Sequence, residues 1–251
     1  MRYFISLAYN GTHFHGWQYQ PNAISVQQVL EDSLSTVLRT PIKVTGAGRT
    51  DTGVHAKLMV AHFDASISDD IYGNLVHLLN QFLNSDIVIY SITLVKGAAH
   101  ARFDALLRTY EYHIDFEKNP FSNGFAYLFR DTLNLDKMNE ATQLIKTTKD
   151  FEAFSKTNTN IKTFFCDISY AQWTKGERGY VFKITANRFL RNMVRSIVGT
   201  LLDVGSNKTT IGQVGDIIKS KQRSNAGFSV PAHGLYLSDI KYPDNIYIIN
   251  G

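Results

Sequence analysis

Residues 2–38 read RYFISLAYNGTHFHGWQYQPNAISVQQVLEDSLSTVL, and the hydrophobic period changes within them. From Arg2 to Tyr9, the residues Tyr3, Ile5 and Leu7 alternate onto one face, the period of two that a strand requires. Asn10-Gly11 marks a turn. Ser25 with Gln28 three residues later is a capping-box signal. Val26, Val29, Leu30, Leu34, Val37 and Leu38 then recur at helical spacing, with Pro41 beyond the end. A strand that hands over to an amphipathic helix predicts a mixed α/β chain.

The same alternation continues outward. Strands are expected over Ile42–Val44 and Leu58–Phe63, flanking a glycine-rich turn, with a helix over Ile71–Leu83 and a strand over Ile87–Leu94. Arg108–Phe116 reads as another strand, and Asp136 as the cap of a helix carrying Met138, Ala141, Leu144 and Ile145. A hairpin is expected from Phe164–Trp173 and Tyr180–Ala186 around Lys175-Gly176-Glu177-Arg178. Helices over Leu190 to about Leu202 and Thr210–Lys219 and a strand over Leu235–Ile240 complete the chain. The reading is two α/β domains, residues 1–105 and 106–251, with a cleft between them as the natural place for a site. The length of 251 residues suits two modest domains or one large α/β unit.

Hydrophobic residues at 44% and charged residues at 19% exclude a wholly disordered chain. No apolar run approaches the ~20 residues of a membrane span, and the N-terminus lacks the pattern of a signal peptide. The single cysteine, Cys166, cannot form an internal disulfide, which fits a reducing compartment and a soluble cytoplasmic protein. A formal net charge of +4 permits a polyanionic partner without requiring one.

The densest chemical segment is Gly46-Ala47-Gly48-Arg49-Thr50-Asp51-Thr52-Gly53-Val54-His55-Ala56. Its glycines permit tight turning and close approach to a ligand. Arg49 is a cation that can hold a carboxylate ionised, and an anionic Asp51 is a usable nucleophile or general base. The alternative is a local turn in which Asp51 binds only backbone N–H groups. Asp51-Thr52-Gly53 is also the tripeptide of aspartic proteases, but those need a second carboxylate and no second copy occurs here, so only a dimer-centred dyad would serve. His13 and His15 near Trp17 lack a third metal ligand at convincing spacing, and no Walker A turn is present.

On the helix from Leu190, the residues Leu190, Met193, Val194, Ile197, Val198 and Leu201 share one face, with Arg191 and Arg195 on the other and Arg188 just before it. That is a solvated basic face or, with Arg39, Lys57, Arg102 and Arg108, part of a basic cleft. Tyr110 and Tyr112 point to one side of their strand, as core or as a ring for a base to stack on.

Ordered along the chain, these segments resemble the tRNA pseudouridine synthase A family. Tyr9-Asn10-Gly11-Thr12-His13-Phe14-His15-Gly16-Trp17-Gln18 is similar to its opening motif, and Gly48 to Ala56 to its catalytic signature. His100-Ala101-Arg102-Phe103-Asp104-Ala105 and Arg108-Thr109-Tyr110-Glu111-Tyr112 resemble the approach to its base-stacking tyrosine. Met193 to Gly199 and Pro231 to Leu237 resemble its late motifs. Leu83-Asn84, where the family has leucine-proline, and Arg191-Asn192 before Met193 are departures away from the chemistry.

The resemblance implies a pseudouridine synthase fold of two related, mainly antiparallel α/β domains with a positively charged cleft between them. It implies homodimers acting on uridine at positions 38 to 40 of the tRNA anticodon stem-loop. Asp51 would be the nucleophile, Arg49 would shape its loop, Arg195 would pair with Asp51, Tyr110 would stack on the flipped uracil and Leu235 would pack near the base. Arg102 and Arg188 are expected phosphate contacts from charge and position alone. The isomerisation oxidises nothing and releases no group, so no metal, nucleotide or redox cofactor is expected. A non-catalytic RNA-binding module would use the same basic face without needing Asp51.

Overall fold

The computed structural model describes residues 1–156 and 162–248. They fall into two compact units, Met1–Leu106 with the chain from Leu237 on, and Leu107–Tyr236. The sequence reading has domains at 1–105 and 106–251; in the fold, the chain returns to the first unit at Leu237.

In the first unit, β1 (Arg2–Tyr9) lies between β4 (Ile87–Val95) and β3 (His55–Asp64), antiparallel to both. The short β2 (Thr45–Gly46) pairs antiparallel with β3, and β9 (Leu235–Lys241) lies on the other side of β3. Ile5 and Leu7 of β1 are fully buried, as alternation requires. The helix α1 (Val26–Leu38) starts where expected, because Ser25 Oγ accepts from Gln28 N–H at 3.3 Å. It ends on Arg39 in the left-handed region at φ 53°.

Two first-half expectations change. Ile42–Val44 forms no strand, because α1 supplies its backbone partners. Val44 N–H donates to Glu31 Oε1 at 3.1 Å, and Val44 C=O accepts from Gln27 Nε2 at 3.2 Å. Ile71–Leu83 is two helices, α2 (Asp69–Tyr72) and α3 (Leu75–Phe82), interrupted at Gly73-Asn74, two weak helix formers in succession.

In the second unit, β5 (Leu107–Asp115), β8 (Gly179–Ala186) and β7 (Ile168–Lys175) form an antiparallel sheet in that order, with β7 and β8 the expected hairpin. A short β6 (Tyr127–Leu128) runs parallel to β5. The helix α4 (Leu135–Thr147) is capped by Asn134, whose side chain accepts from Lys137 N–H, rather than by Asp136. The helix α5 (Met193–Gly205) buries Met193, Val194, Ile197, Val198 and Leu201, the face read from the sequence. It starts three residues later than expected, at a left-handed Asn192 (φ 66°). The helix α6 (Ile211–Ser220) carries a complete capping box between Thr210 and Gln213. Cys166 is buried, and burial pushes its thiol up to about 11, so it is chemically quiet near neutrality.

Candidate active site

The seven residues singled out divide between the units. Arg49, Asp51 and Arg102 belong to the first; Tyr110, Arg188, Arg195 and Leu235 belong to the second.

The Asp51 loop joins β2 to β3 and is held from the side of the Tyr9–Trp17 segment. Trp17 N–H donates to Thr50 C=O at 3.2 Å, and Gly53 N–H donates to Phe14 C=O at 3.4 Å. The hydroxyls of Tyr9 and Thr50 are hydrogen-bonded in a buried position at 2.8 Å, and Gly11 N–H donates to His55 Nδ1 at 3.0 Å. Within the loop, Val54 N–H closes a turn onto Asp51 C=O at 3.1 Å. Two glycines let the segments come this close. A Cβ on Gly11 would lie 2.0 Å from Val54 O, and one on Gly16, at φ +83°, would lie 2.4 Å from Thr50 O. The sequence motif around residue 10 and the aspartate loop are thus one packed object. Thr50 is buried, Asp51 is half-buried and Arg49 is exposed, so exposure changes from residue to residue along the loop.

Arg102 lies elsewhere in this unit. His62 Nδ1, near the far end of β3, accepts from Ala101 N–H at 3.1 Å. Seven residues separate His62 from His55, which begins β3 beside the aspartate loop, so at ~3.3 Å per residue the two places are roughly 20 Å apart. The 100–104 turn is closed by His100 Nδ1, which accepts from the N–H groups of Arg102 (3.1 Å) and Phe103 (3.3 Å). Arg102 is exposed, with its guanidinium 5.6 Å from the Phe103 ring centroid. His13 and His15 are exposed, and among the described residues no group of three or more His, Cys, Asp or Glu side chains is arranged to hold a metal.

Burial pushes His62 down to about 4 from its ordinary 6.5, with the charges of His100 and Arg2 adding to the shift. A depressed histidine stays neutral in the folded chain while the unfolded chain takes up a proton below pH 6.5. His62 therefore contributes stability that is fully present above pH 6.5 and is lost as pH falls toward 4. The expected result is a melting temperature lower at pH 5 than at pH 7, with a shallower dependence in His62→Asn, whose amide oxygen can still accept from Ala101. Thermal melts of both proteins across pH 4.5–7.5 check this.

In the second unit, Tyr110 and Tyr112 share a face of β5 but not an environment. Tyr112 is fully buried and its hydroxyl donates to Pro231 C=O at 2.9 Å, so it is core. Tyr110 is half-buried, and its ring meets that of Phe189 edge-on, with centroids 5.0 Å apart at 81°. Phe189, absent from the sequence reading, packs against the Tyr110 ring, and Arg188 directly before it is half-buried. Its one signal in the sequence is an aromatic directly after an arginine. Leu235 is buried at the start of β9, following Gly234, where a Cβ would lie 2.8 Å from the Tyr112 ring. Arg195 is half-buried on α5, and its Nε donates to Val230 C=O at 2.6 Å.

A family model described as tRNA pseudouridine synthase matches residues 5–104 and 141–243. The chain is similar to proteins named tRNA pseudouridine synthase A from several bacteria. It is 50% identical to that of Porphyromonas gingivalis over 250 residues, 98% of this chain and 99% of the relative. It is 48% identical to that of Parabacteroides distasonis over 249 residues, 98% of each chain. It is 38% identical to that of Limosilactobacillus reuteri over 255 residues, 97% of this chain and 98% of the relative. The matches take in both units and every segment described above, which sets aside the aspartic-protease reading of Asp51-Thr52-Gly53 and the non-catalytic one. The chain belongs to the tRNA pseudouridine synthase family and is an isomerase of the A type.

Proposed function

We propose that the chain converts uridine to pseudouridine at positions 38, 39 and 40 of the tRNA anticodon stem-loop, with Asp51 as the nucleophile. The observation that carries this is the seat of Asp51. Its loop is bonded through Thr50, Gly53 and Val54 to the Tyr9–Trp17 segment and to itself, and Asp51 within it is half-buried. That is the preorganisation a catalytic carboxylate needs. The positions on the RNA rest on the resemblance of the motifs and on the relatives' names.

The reaction breaks N1–C1′ of the uridine, rotates the uracil and forms C5–C1′. The C5 hydrogen leaves as a proton and N1 gains one, so atoms and electrons balance without an oxidant or a leaving group. Asp51 attacks at the sugar or at the base, or removes a sugar proton to give a glycal, and is regenerated at the end of each turnover. Arg49 shapes the loop, and Arg195 pairs with Asp51 and orients its carboxylate. Tyr110, packed against Phe189, offers its face to the flipped base, with Leu235 packing near it. Flipping costs a few kcal/mol, which stacking and phosphate contacts offset. Arg188 contacts phosphate near the flipped nucleotide, and Arg102 contacts phosphate farther along the RNA. The resemblance further supports a homodimer working in the cytoplasm, and sedimentation of the purified chain tests the first of these.

Base–aromatic stacking is worth about 1–3 kcal/mol by alanine substitution. Tyr110→Ala is therefore expected to lower kcat/KM by about 5- to 150-fold, whereas Tyr110→Phe retains most of the activity because the ring remains. Steady-state kinetics on a tRNA transcript decide, and full activity of Tyr110→Ala would remove the stacking role.

A further inference from the structure

Arg195 is held in a closed arrangement. Its Nε donates to Val230 C=O at 2.6 Å, while Val230 N–H donates to Arg195 C=O at 3.3 Å. Side chain and main chain of one residue are therefore tied to the same partner. A guanidinium is planar, so fixing the direction of Nε–H confines its two terminal nitrogens to one plane. What holds Val230 in place consequently sets where Arg195 aims.

Val230 ends a segment, residues 226–230, that is fastened along α5. Gly227 N–H donates to Thr200 Oγ1 at 2.9 Å, and a Cβ on Gly199 would lie 1.9 Å from Phe228 O. The other fastening is Arg223, which lies outside every motif used above. Its Nη1 donates to Ala226 C=O (3.2 Å) and Gly227 C=O (3.0 Å), and its Nη2 donates to Ser229 Oγ (2.8 Å). Ser229 Oγ also accepts from Nδ2 of Asn192, the left-handed residue that starts α5, at 2.6 Å. One guanidinium thereby knots three residues of the segment and, through Ser229, the first turn of the helix that carries Arg195.

We propose that Arg223 is a positioning residue for Arg195, acting through Ser229 and the Val230 carbonyl, and that its fork geometry is required for turnover. The inference rests on the reading in which Arg195 orients the nucleophile. The chemistry of Arg223 supports it. The three acceptors around Arg223 are neutral oxygens, two of them carbonyls, and burial pulls its own proton affinity down. A cation placed at such a cost supplies direction, which three diverging bonds give and a single ammonium does not.

The test uses Arg223→Lys and Ser229→Ala in the full chain, with three readouts. Arg223→Lys is expected to lower kcat by about tenfold or more, and Ser229→Ala by less, with the Kd for tRNA changed by no more than about two-fold. The third readout is exchange with water of the Arg195 Nε–H, identified in a ¹⁵N spectrum by its disappearance in Arg195→Lys. This proton is expected to exchange faster in both variants than in the unmodified chain, a change that a purely structural role for Arg223 would not bring about in a protein that stays folded. Unchanged exchange in both variants overturns the proposal, and so does faster exchange with an unaltered kcat. Should Arg223→Lys fail to fold, Ser229→Ala decides alone. If the unmodified chain itself turns over no tRNA, the proposed function fails, while the exchange readout still decides whether Arg223 holds Arg195.

Discussion

Asp51→Ala is expected to lose about 10⁴-fold or more in turnover while binding tRNA within a few-fold of the unmodified chain. The two halves of this result have separate origins. Affinity for a polyanion comes from the arginines and from aromatic stacking, and none of these is removed by the substitution. Turnover needs a carboxylate that no neighbour in its loop replaces. The bonds of Trp17 N–H to Thr50 C=O, of Gly53 N–H to Phe14 C=O and between the Tyr9 and Thr50 hydroxyls do not use the Asp51 side chain and remain when it is truncated. Binding measured by filter retention, beside product measured by chemical mapping of pseudouridine, separates the two. A comparable loss of binding would mean that Asp51 serves the architecture of the RNA site instead of its chemistry.

The second large effect concerns Gly16. Gly16→Ala would place a Cβ 2.4 Å from Thr50 O at a residue with φ +83°, a conformation that L side chains rarely adopt. Neither the clash nor the strain can be relieved without moving Thr50, the residue directly before the nucleophile. The expected outcome is destabilisation on the order of 3 kcal/mol or more, with activity of the surviving folded protein reduced well beyond its loss of stability. Gly97→Ala is the control, because a Cβ there meets nothing within 4 Å. Denaturant melts and initial rates on the three proteins test this, and equal behaviour of Gly16→Ala and Gly97→Ala would contradict the packed seat of the Asp51 loop.

Much of this was legible in the sequence, and the reasons are local. β1, α1 and the β7–β8 hairpin were readable because their periods and turn residues act over a few positions, and Ser25 does cap α1. The expected strand at Ile42–Val44 failed because its hydrogen-bond partners are side chains on α1, more than ten residues earlier. The start of α5 was misplaced because it depends on a left-handed Asn192 secured by Ser229, far along the chain. The return of the chain to the first unit at Leu237 leaves no trace in composition. Asp51 stands out because a short motif marks it, whereas alternation marks Tyr110 and Tyr112 alike and only the family resemblance points to Tyr110. Phe189, Val230 and Arg223 do not stand out, since each matters only through contacts made after folding. Arg102 has only its charge to mark it as a phosphate contact, and the register of β3 puts its turn roughly 20 Å from the aspartate loop.

The most direct test of the central claim is tritium release from a tRNA transcript labelled at C5 of uridine. Forming the C5–C1′ bond expels that hydrogen, so every turnover is counted. The assay is run with a chelator and without added nucleotide, on transcripts in which only uridines 38–40 of the anticodon arm are present or only these are replaced. Catalytic release by the unmodified chain is expected from the first transcript, none from the second, and none from either with Asp51→Ala. Release by Asp51→Ala at the rate of the unmodified chain would contradict the assignment of the nucleophile, and release from the second transcript alone would contradict the assignment of the substrate positions.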